Sequence, residues 1–483
     1  MRKNLNFAEI LMNVEEQEFH SYKNIRMNDF ILWQIIKPNV YYYLLKNVST
    51  DNNKGNQPNN NSPKMSFIKM IFQLFQFIRI IIFTPKPENK FPTLIYTNSK
   101  ARNYKNKEGK LMNIWLDGFI HKSIITNYYL MEDRKKVLDN SYLKLSLNSS
   151  SILFFINIVK YIAITISPFI KFKKAITINN ILAKHSVNVP IEVLIKSIVQ
   201  FKMEFLIFKF LLKKVKPNLI LTYDNLATGF MAACNFLNIK IIDVQHGVIG
   251  RYYPSYQYSN KLAPYKQHLS LPTKIASFGL LEKNELLQRK FWTNDEIIPA
   301  GSFILDYNKT LSKNEQISDV LLITENLPDF NYIDVLEILF KLPNSIHVII
   351  SFHPFENNDI RNSITELIKN KPNFKVLTKD QNTYYGISIS KIVIGSYSTC
   401  LLEALHLGRK IISIKNKKNN TNIFSHYSSS ELYQMVNYTD LEQLNDKILK
   451  LLIDNEKITH QANFLFAEDF LNENKKMIES LFN

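Results

Sequence analysis

Two stretches carry residue types able to handle an anion. Residues 392–394 are apolar and break into Gly395-Ser396-Tyr397-Ser398-Thr399. Residues 400–407 read as a helix, Gly408 stops it, and residues 410–414 read as the next strand. Strand, small hydroxylated turn, helix start and strand make half of a Rossmann-type α/β unit. Free N–H groups and a positive dipole end stabilise an anion at such a helix start. Ser396, Ser398 and Thr399 add hydroxyl donors. Upstream, residues 346–351 read as a buried strand ending in Phe352-His353-Pro354. Proline stops the ladder and leaves the His353 imidazole at the carboxyl edge, where such sheets bind ligands. Ser- and Thr-rich turns also arise for purely local reasons. Their pairing with a His-Pro strand end is the rarer signal.

A second set lies earlier. Strands are predicted at residues 218–222 and 240–244, ending in Tyr223-Asp224-Asn225 and Gln245-His246-Gly247. Residues 113–116 are a strand or a helical turn before Asp117-Gly118. Asp224, His246 and Asp117 are the side chains here able to take a proton from an attacking hydroxyl, which a general base must reach within hydrogen-bond distance. For His246 the bland alternative is a satisfied structural histidine.

These residues need a scaffold, and its pattern is regular. Further strands are predicted at residues 93–96, 274–278, 296–299, 320–324, 375–377 and 411–414, with helical stretches between many of them. That alternation means parallel sheets whose carboxyl ends deliver polar or glycine motifs. A length of 483 residues suits two domains. The reading is an α/β chain with two Rossmann-like doubly wound domains facing a cleft. Residues 1–64 would be a helical extension and Asn-rich linker, 65–315 the first domain and 316–483 the second. The last helix is expected within residues 462–482.

The charge balance is unusual. Sixty Lys plus Arg against 42 Asp plus Glu leave +18. Such an excess favours phosphate-bearing or anionic-lipid partners. No nucleic-acid module is present, so nucleic acid is not expected. Cys234 and Cys400 are the only cysteines, which suits a reducing compartment. The first residues turn acidic at Glu15-Glu16 without an apolar core and do not read as a signal peptide. Residues 65–83 are long enough to span a bilayer, yet Lys69, Gln73, Gln76 and Arg79 gather on one helical face. That stripe suits an interfacial helix or an amphipathic core helix. Residues 151–172 read as a buried helix, with a membrane-contacting surface as the minor alternative.

His353-Pro354, Ser398-Thr399 and Glu403-Ala404-Leu405 together resemble bacterial surface-polysaccharide glycosyltransferases of the two-Rossmann GT-B type. The likeness is greatest to the sialyltransferase and Kdo-transferase groups, with their His-Pro and Ser-Ser/Thr motifs. Teichoic-acid glycerophosphotransferases share a similar layout. The motifs lie between Pro217 and Gly408. The resemblance implies a nucleotide-sugar donor, a CMP-sugar by preference, held by His353, Pro354, Gly395, Ser396, Ser398 and Thr399. Glu403 would accept from ribose hydroxyls. Gln245-His246-Gly247 resembles the Gln-His-Gly element of capsule transferases. Asp117-Gly118 is similar to the acidic-acidic-Gly motif of bacterial sialyltransferases, with Leu116 in place of the first acid. The acceptor would be a capsule or lipopolysaccharide glycan, lipid-linked or oligosaccharide. The protein would be cytoplasmic and peripheral on the inner face of the membrane.

Three readings stay open: sugar transfer, glycerol-phosphate transfer from a CDP-linked donor, and a non-catalytic membrane-bound scaffold. No Asp-x-Asp and no zinc-type histidine pairing occur, so transfer is expected without metal or other cofactor. A Walker-type Gly-x-x-x-x-Gly-Lys-Ser/Thr is also absent, which excludes a P-loop ATPase.

Overall fold

Apolar runs bounded by small or polar residues build both sheets. The computed structural model describes residues 7–50, 93–98, 102–105, 109, 111–133, 146–148, 150–167, 172–223, 228–249, 253–308, 318–325, 330–353, 356–378, 381–396, 398–415, 433–454 and 464–482. Residues 65–83 and Asp224, Pro354 and Tyr397 lie outside that set. The chain divides into two compact units. One holds Phe7–Arg102, Met112–Ala300 and Leu471–Asn483; the other holds Asn103–Leu111 and Gly301–Phe470.

In the first unit the strands are β1 (Thr93–Asn98), β2 (Tyr128–Asp133), β3 (Ser146–Asn148), β4 (Leu219–Thr222), β5 (Lys240–Val244), β6 (Lys274–Ser277) and β7 (Ile297–Pro299). They form one sheet in the order β7-β6-β5-β4-β1-β2-β3. Its pairs are parallel, with Leu94 opposite Ile220 and Ile241 opposite Ile220 on the other side. Strand β4 is buried throughout, as parallel strands with covered faces must be.

Helices α1 (Phe7–Gln17) and α2 (Leu32–Thr50) are packed into this unit's core. A buried polar network fixes them. Lys37 Nζ donates to Glu15 Oε2 at 2.7 Å and to the Gln257 carbonyl at 2.8 Å, and Trp33 Nε1 donates to Glu15 at 2.9 Å. Both charged groups are almost completely buried, so their desolvation is offset only because each is paired and bonded.

Helix α3 (Ser150–Ile166) buries Ile152, Ile156 and Ala163 and exposes Tyr161 and Ile162. It is therefore half-buried, where the sequence suggested a buried helix. Helix α4 (Ile191–Val215) has 25 residues and is about 37 Å long. Its inner face buries Leu194, Ile198, Phe201, Phe205, Phe208 and Leu212. Helix α5 (Gly229–Phe236) presses against it, and only glycine fits at the crossing. A Cβ on Gly229 would lie 2.2 Å from the Phe201 carbonyl oxygen. Helix α6 (Leu280–Leu287) follows β6. Among the described residues no helix is long and apolar enough to cross a membrane.

The second unit's strands are β8 (Ser318–Ile323), β9 (Val348–Ser351), β10 (Phe374–Val376), β11 (Ser390–Gly395), β12 (Lys410–Lys415) and β13 (Tyr433–Asn437). Their order is β10-β9-β8-β11-β12-β13, all parallel. Counted within the unit, that is 3-2-1-4-5-6, the doubly wound Rossmann order. The first six strands of the other sheet repeat it. The strand order reverses between β8 and β11, and ligands in such sheets bind outside the carboxyl ends at that point. Helices α7 (Thr383–Ile389) and α8 (Thr399–His406) stand before and after β11 in the chain.

Candidate functional site

Strand β8 stands between the two sequence motifs and ties them together. Thr324-Glu325 follows directly on its last residue, Ile323. The His353 N–H donates to Thr324 Oγ1 at 3.1 Å, and the Ser396 N–H donates to Glu325 Oε1 at 2.7 Å. The His353 and Ser396 loops therefore flank one strand end, with their strands about 10 Å apart by sheet spacing. Gly395 is small for a reason. A Cβ there would come 3.3 Å from Glu325 Oε1 and 3.4 Å from Leu401, displacing the carboxylate from its bond. Sequence reasoning missed Thr324 and Glu325 because neither stands in a recognisable motif.

Helix α8 starts beyond the turn. Ser398 is its N-cap, its Oγ accepting the Cys400 N–H at 3.2 Å. Ser396 is buried, and its carbonyl accepts from Ser413 Oγ at 3.0 Å. The Ser396 and Cys400 amides are thus satisfied, the first by Glu325 and the second by Ser398. The hydroxyls of Ser398 and Thr399 and the His353 imidazole are the side-chain groups at these two strand ends able to donate to an anion. A capping hydroxyl keeps its own proton to donate. Burial holds His353 below its ordinary pKa, with Glu356 opposing and Arg361 adding to the effect. The ring is consequently neutral at pH 7, able to donate one N–H. Its carbonyl is pinned by Arg361 at 2.7 Å.

Glu403 is turned inward. It is buried, accepts the Tyr384 hydroxyl at 3.0 Å on Oε1, and has its pKa pushed up to about 7 by desolvation, which bonds from Tyr384 and Cys400 oppose. The ribose contact implied by resemblance would have to exchange that bond or use the other oxygen. Tyr384 lies in α7. Its ring meets that of Tyr104 edge-on at 5.9 Å, and Tyr104 donates to Asn308 Oδ1 at 2.9 Å. No sequence motif marked Tyr104 or Tyr384.

In the first unit, His246 follows β5 and is partly buried. Trp115 stands edge-on to its ring at 5.8 Å, and Tyr223, at the end of β4, is 5.7 Å away. Trp115 and Tyr223 are 4.7 Å apart. Gln245 is buried and structural: its Oε1 accepts the Phe278 N–H at 2.7 Å and its Nε2 donates to the Gly247 carbonyl at 2.8 Å. Asp117 is buried too, accepting the Asn113 N–H at 3.0 Å. Asn113 then bonds Thr97 Oγ1 at 2.7 Å and accepts the Trp115 and Leu116 amides. Asp117 therefore shapes the turn that presents Trp115. His246, Tyr223 and Thr97 converge from the carboxyl ends of β5, β4 and β1, the reversal point of this sheet. Behind them Glu282, early in α6, is buried beside Gln245, and desolvation raises its pKa to about 7. Among the described residues no group of three or more His, Cys, Asp or Glu side chains is placed to hold a metal ion.

Both sheets and their strand order define a GT-B-type α/β fold of two Rossmann-like units. No family model matches the chain, and no curated protein matches it. Solved structures do. UDP-GlcNAc 2-epimerase from Methanocaldococcus jannaschii is similar at 14% identity and a TM-score of 0.50, covering 81% of this chain and 99% of that one. The Neisseria meningitidis UDP-GlcNAc 2-epimerase bound to UDP-GlcNAc gives 14% and 0.48, covering 81% and 99%. A glycosyltransferase from Rickettsia africae gives 14% and 0.42, covering 82% and 95%. At these identities the likeness concerns the fold.

Proposed function

We propose that this chain is a GT-B glycosyltransferase that moves a sugar from a nucleotide-sugar, a CMP-sugar such as sialic acid or Kdo, to a capsule or lipopolysaccharide acceptor without a metal. The observation that carries it is the joint anchoring of the His353 and Ser396 loops to Thr324-Glu325 at the reversal point of the second sheet. There His353, Ser398 and Thr399 donate to the phosphoryl oxygens of the departing nucleotide, whose charge grows as the glycosidic bond breaks. Pro354, lacking an N–H, cannot extend the β9 ladder, and Gly395 and Ser396 hold the turn.

The first unit takes the acceptor in this reading. His246 receives the proton of the attacking hydroxyl, while Trp115 and Tyr223 offer aromatic faces to a sugar ring. Asp117 positions the turn; Asp224, next in sequence after Tyr223, is a second proton acceptor. The enzyme works in the cytoplasm, peripheral on the inner face of the cell membrane, where lipid-linked acceptors are.

Calorimetry with CMP-, CDP-, UDP- and GDP-compounds tests the reading. A CMP-sugar should titrate in preference, and His353→Ala should weaken it; binding unchanged in that variant removes His353 from the site. CDP-glycerol is kept in the panel because the same His and Ser groups serve glycerol-phosphate transfer. UDP-GlcNAc is included because the fold is shared with a UDP-GlcNAc 2-epimerase; inversion at C2 of that sugar would replace the transferase reading. Nucleotide binding with no turnover on any acceptor would favour a scaffold.

A further inference from the structure

Helix α4 has an outer face that nothing in the donor or acceptor chemistry uses. Lys202, Leu206, Lys209 and Lys213 follow at four- and three-residue steps, and Phe210 lies four after Leu206, which puts all five on one side of the helix. Leu206 is 48% and Phe210 44% exposed, and Phe236 at the end of α5 is 47% exposed. Lys209 Nζ lies 3.6 Å from the centre of the Phe236 ring, and Lys214 Nζ lies 4.6 Å from that of Phe210. Apolar side chains and ammonium groups therefore alternate along this face, with ammonium groups lying over the rings.

Local charge is lopsided as well. Residues 140–223 contain twelve lysines, no arginine and two acids, Glu192 and Glu204. Glu204 is buried and accepts the Gly229 N–H at 3.0 Å, so it does not offset the surface. Glu192 sits ten residues before Lys202, about 15 Å along the axis. This part of the chain holds a large share of the net +18.

The geometry points to this face, the outer side of α4 with Phe236, as the docking surface for an anionic lipid bilayer. Lysines reach headgroup phosphates while their stems and Leu206, Phe210 and Phe236 enter the acyl boundary. A helix face of alternating lysines and apolar side chains matches an anionic headgroup layer above an acyl boundary. This surface deepens the membrane-side assignment of the proposed function and rests on it.

Flotation of the full chain with phosphatidylcholine vesicles, with and without phosphatidylglycerol, tests it. Binding should need the anionic lipid. Lys209→Gln and Lys213→Gln should each lower partitioning about fivefold, since a lysine at an anionic surface contributes about that factor. Leu206→Ser with Phe210→Ser should lower it on the order of tenfold. Equal flotation of the parent and the fourfold variant, or no flotation with anionic vesicles, overturns the surface; capture of an acidic protein in the latter case would assign the face to that partner instead. Nucleotide calorimetry on the same samples separates the two readings. Lost flotation with intact nucleotide binding supports the surface, whereas flotation without any nucleotide binding leaves the surface standing and removes the donor site.

Discussion

The two sheets share a strand order but end in opposite chemistry. At the reversal point of the second unit stand small hydroxyls, a neutral imidazole and a carboxylate that braces the turn. At the same point of the first unit stand Trp115, Tyr223 and His246, two aromatic faces and a ring able to take a proton. Topology therefore chose where each site falls, and the residues at the strand ends chose what it does. Phosphate needs compact donors at close range; a sugar ring needs flat apolar faces and one base.

Each unit also has a buried glutamate in a helix that follows a strand, Glu282 and Glu403, whose pKa desolvation pushes up to about 7. The units differ in their supports. The first rests on a long helix and the enclosed Glu15–Lys37 pair. The second has no comparably enclosed pair among its described residues.

That asymmetry can be broken at its strongest point. Lys37→Met leaves Glu15 buried without its cation and should cost about 3–5 kcal/mol, seen as early melting by calorimetry. The melt should split into two transitions, with donor binding surviving the first. A single unchanged transition would show that the pair does not support the first unit separately.

Exchanging the two histidines sharpens the division of labour. His246→Ala should lower turnover about a hundredfold or more with donor affinity retained, the scale of a lost general base. His353→Ala should weaken donor binding by about ten- to a hundredfold, the scale of one lost donor to developing charge. Steady-state kinetics beside calorimetry checks both. If each substitution moved the other's readout, the assignment of sites to units would be reversed.

The buried glutamates test what the units have in common. A folded pKa of about 7 against an ordinary 4.5 means that the folded state holds more protons between those values. Stability from these groups is therefore full below pH 4.5, falls as pH rises towards 7, and is level above it. Urea melts across that window should slope downward, and Glu403→Gln should flatten part of the slope. An unaltered slope would mean that Glu403 is already ionised. The smallest effect is expected at Gly247, where a Cβ meets nothing within 4 Å. Gly247→Ala should shift stability by less than about 0.5 kcal/mol, and a large loss would show that this loop needs glycine for its backbone.

Much of the fold was legible because parallel strands buried on both faces must be continuously apolar. Residues 320–323 and 392–394 are such runs, 240–244 and 411–414 are nearly so with Asp243 and Ser413 inside them, and strands stand at all four within a residue or two. Strand β13, Tyr433-Gln434-Met435-Val436-Asn437, passed unseen because an edge strand mixes polar and apolar residues. Strands β2 and β3, towards the other sheet's edge, went unread in the same way. Helix α4 was not anticipated either, since its lysine-studded outer face blurs the apolar period that its inner face obeys.

Local sequence settled which residues could do chemistry: a histidine before proline, hydroxyls before a helix, a histidine between glutamine and glycine. Tertiary structure alone settled their supports. Thr324 and Glu325 join the His353 and Ser396 loops across 29 and 71 residues of sequence. Tyr104 reaches Asn308 across a separation of 204 residues, and Glu15 meets Ser259 across 244. Strand order decides these meetings, and no local periodicity encodes it, because the free energy that selects an order comes from burying the whole sheet at once.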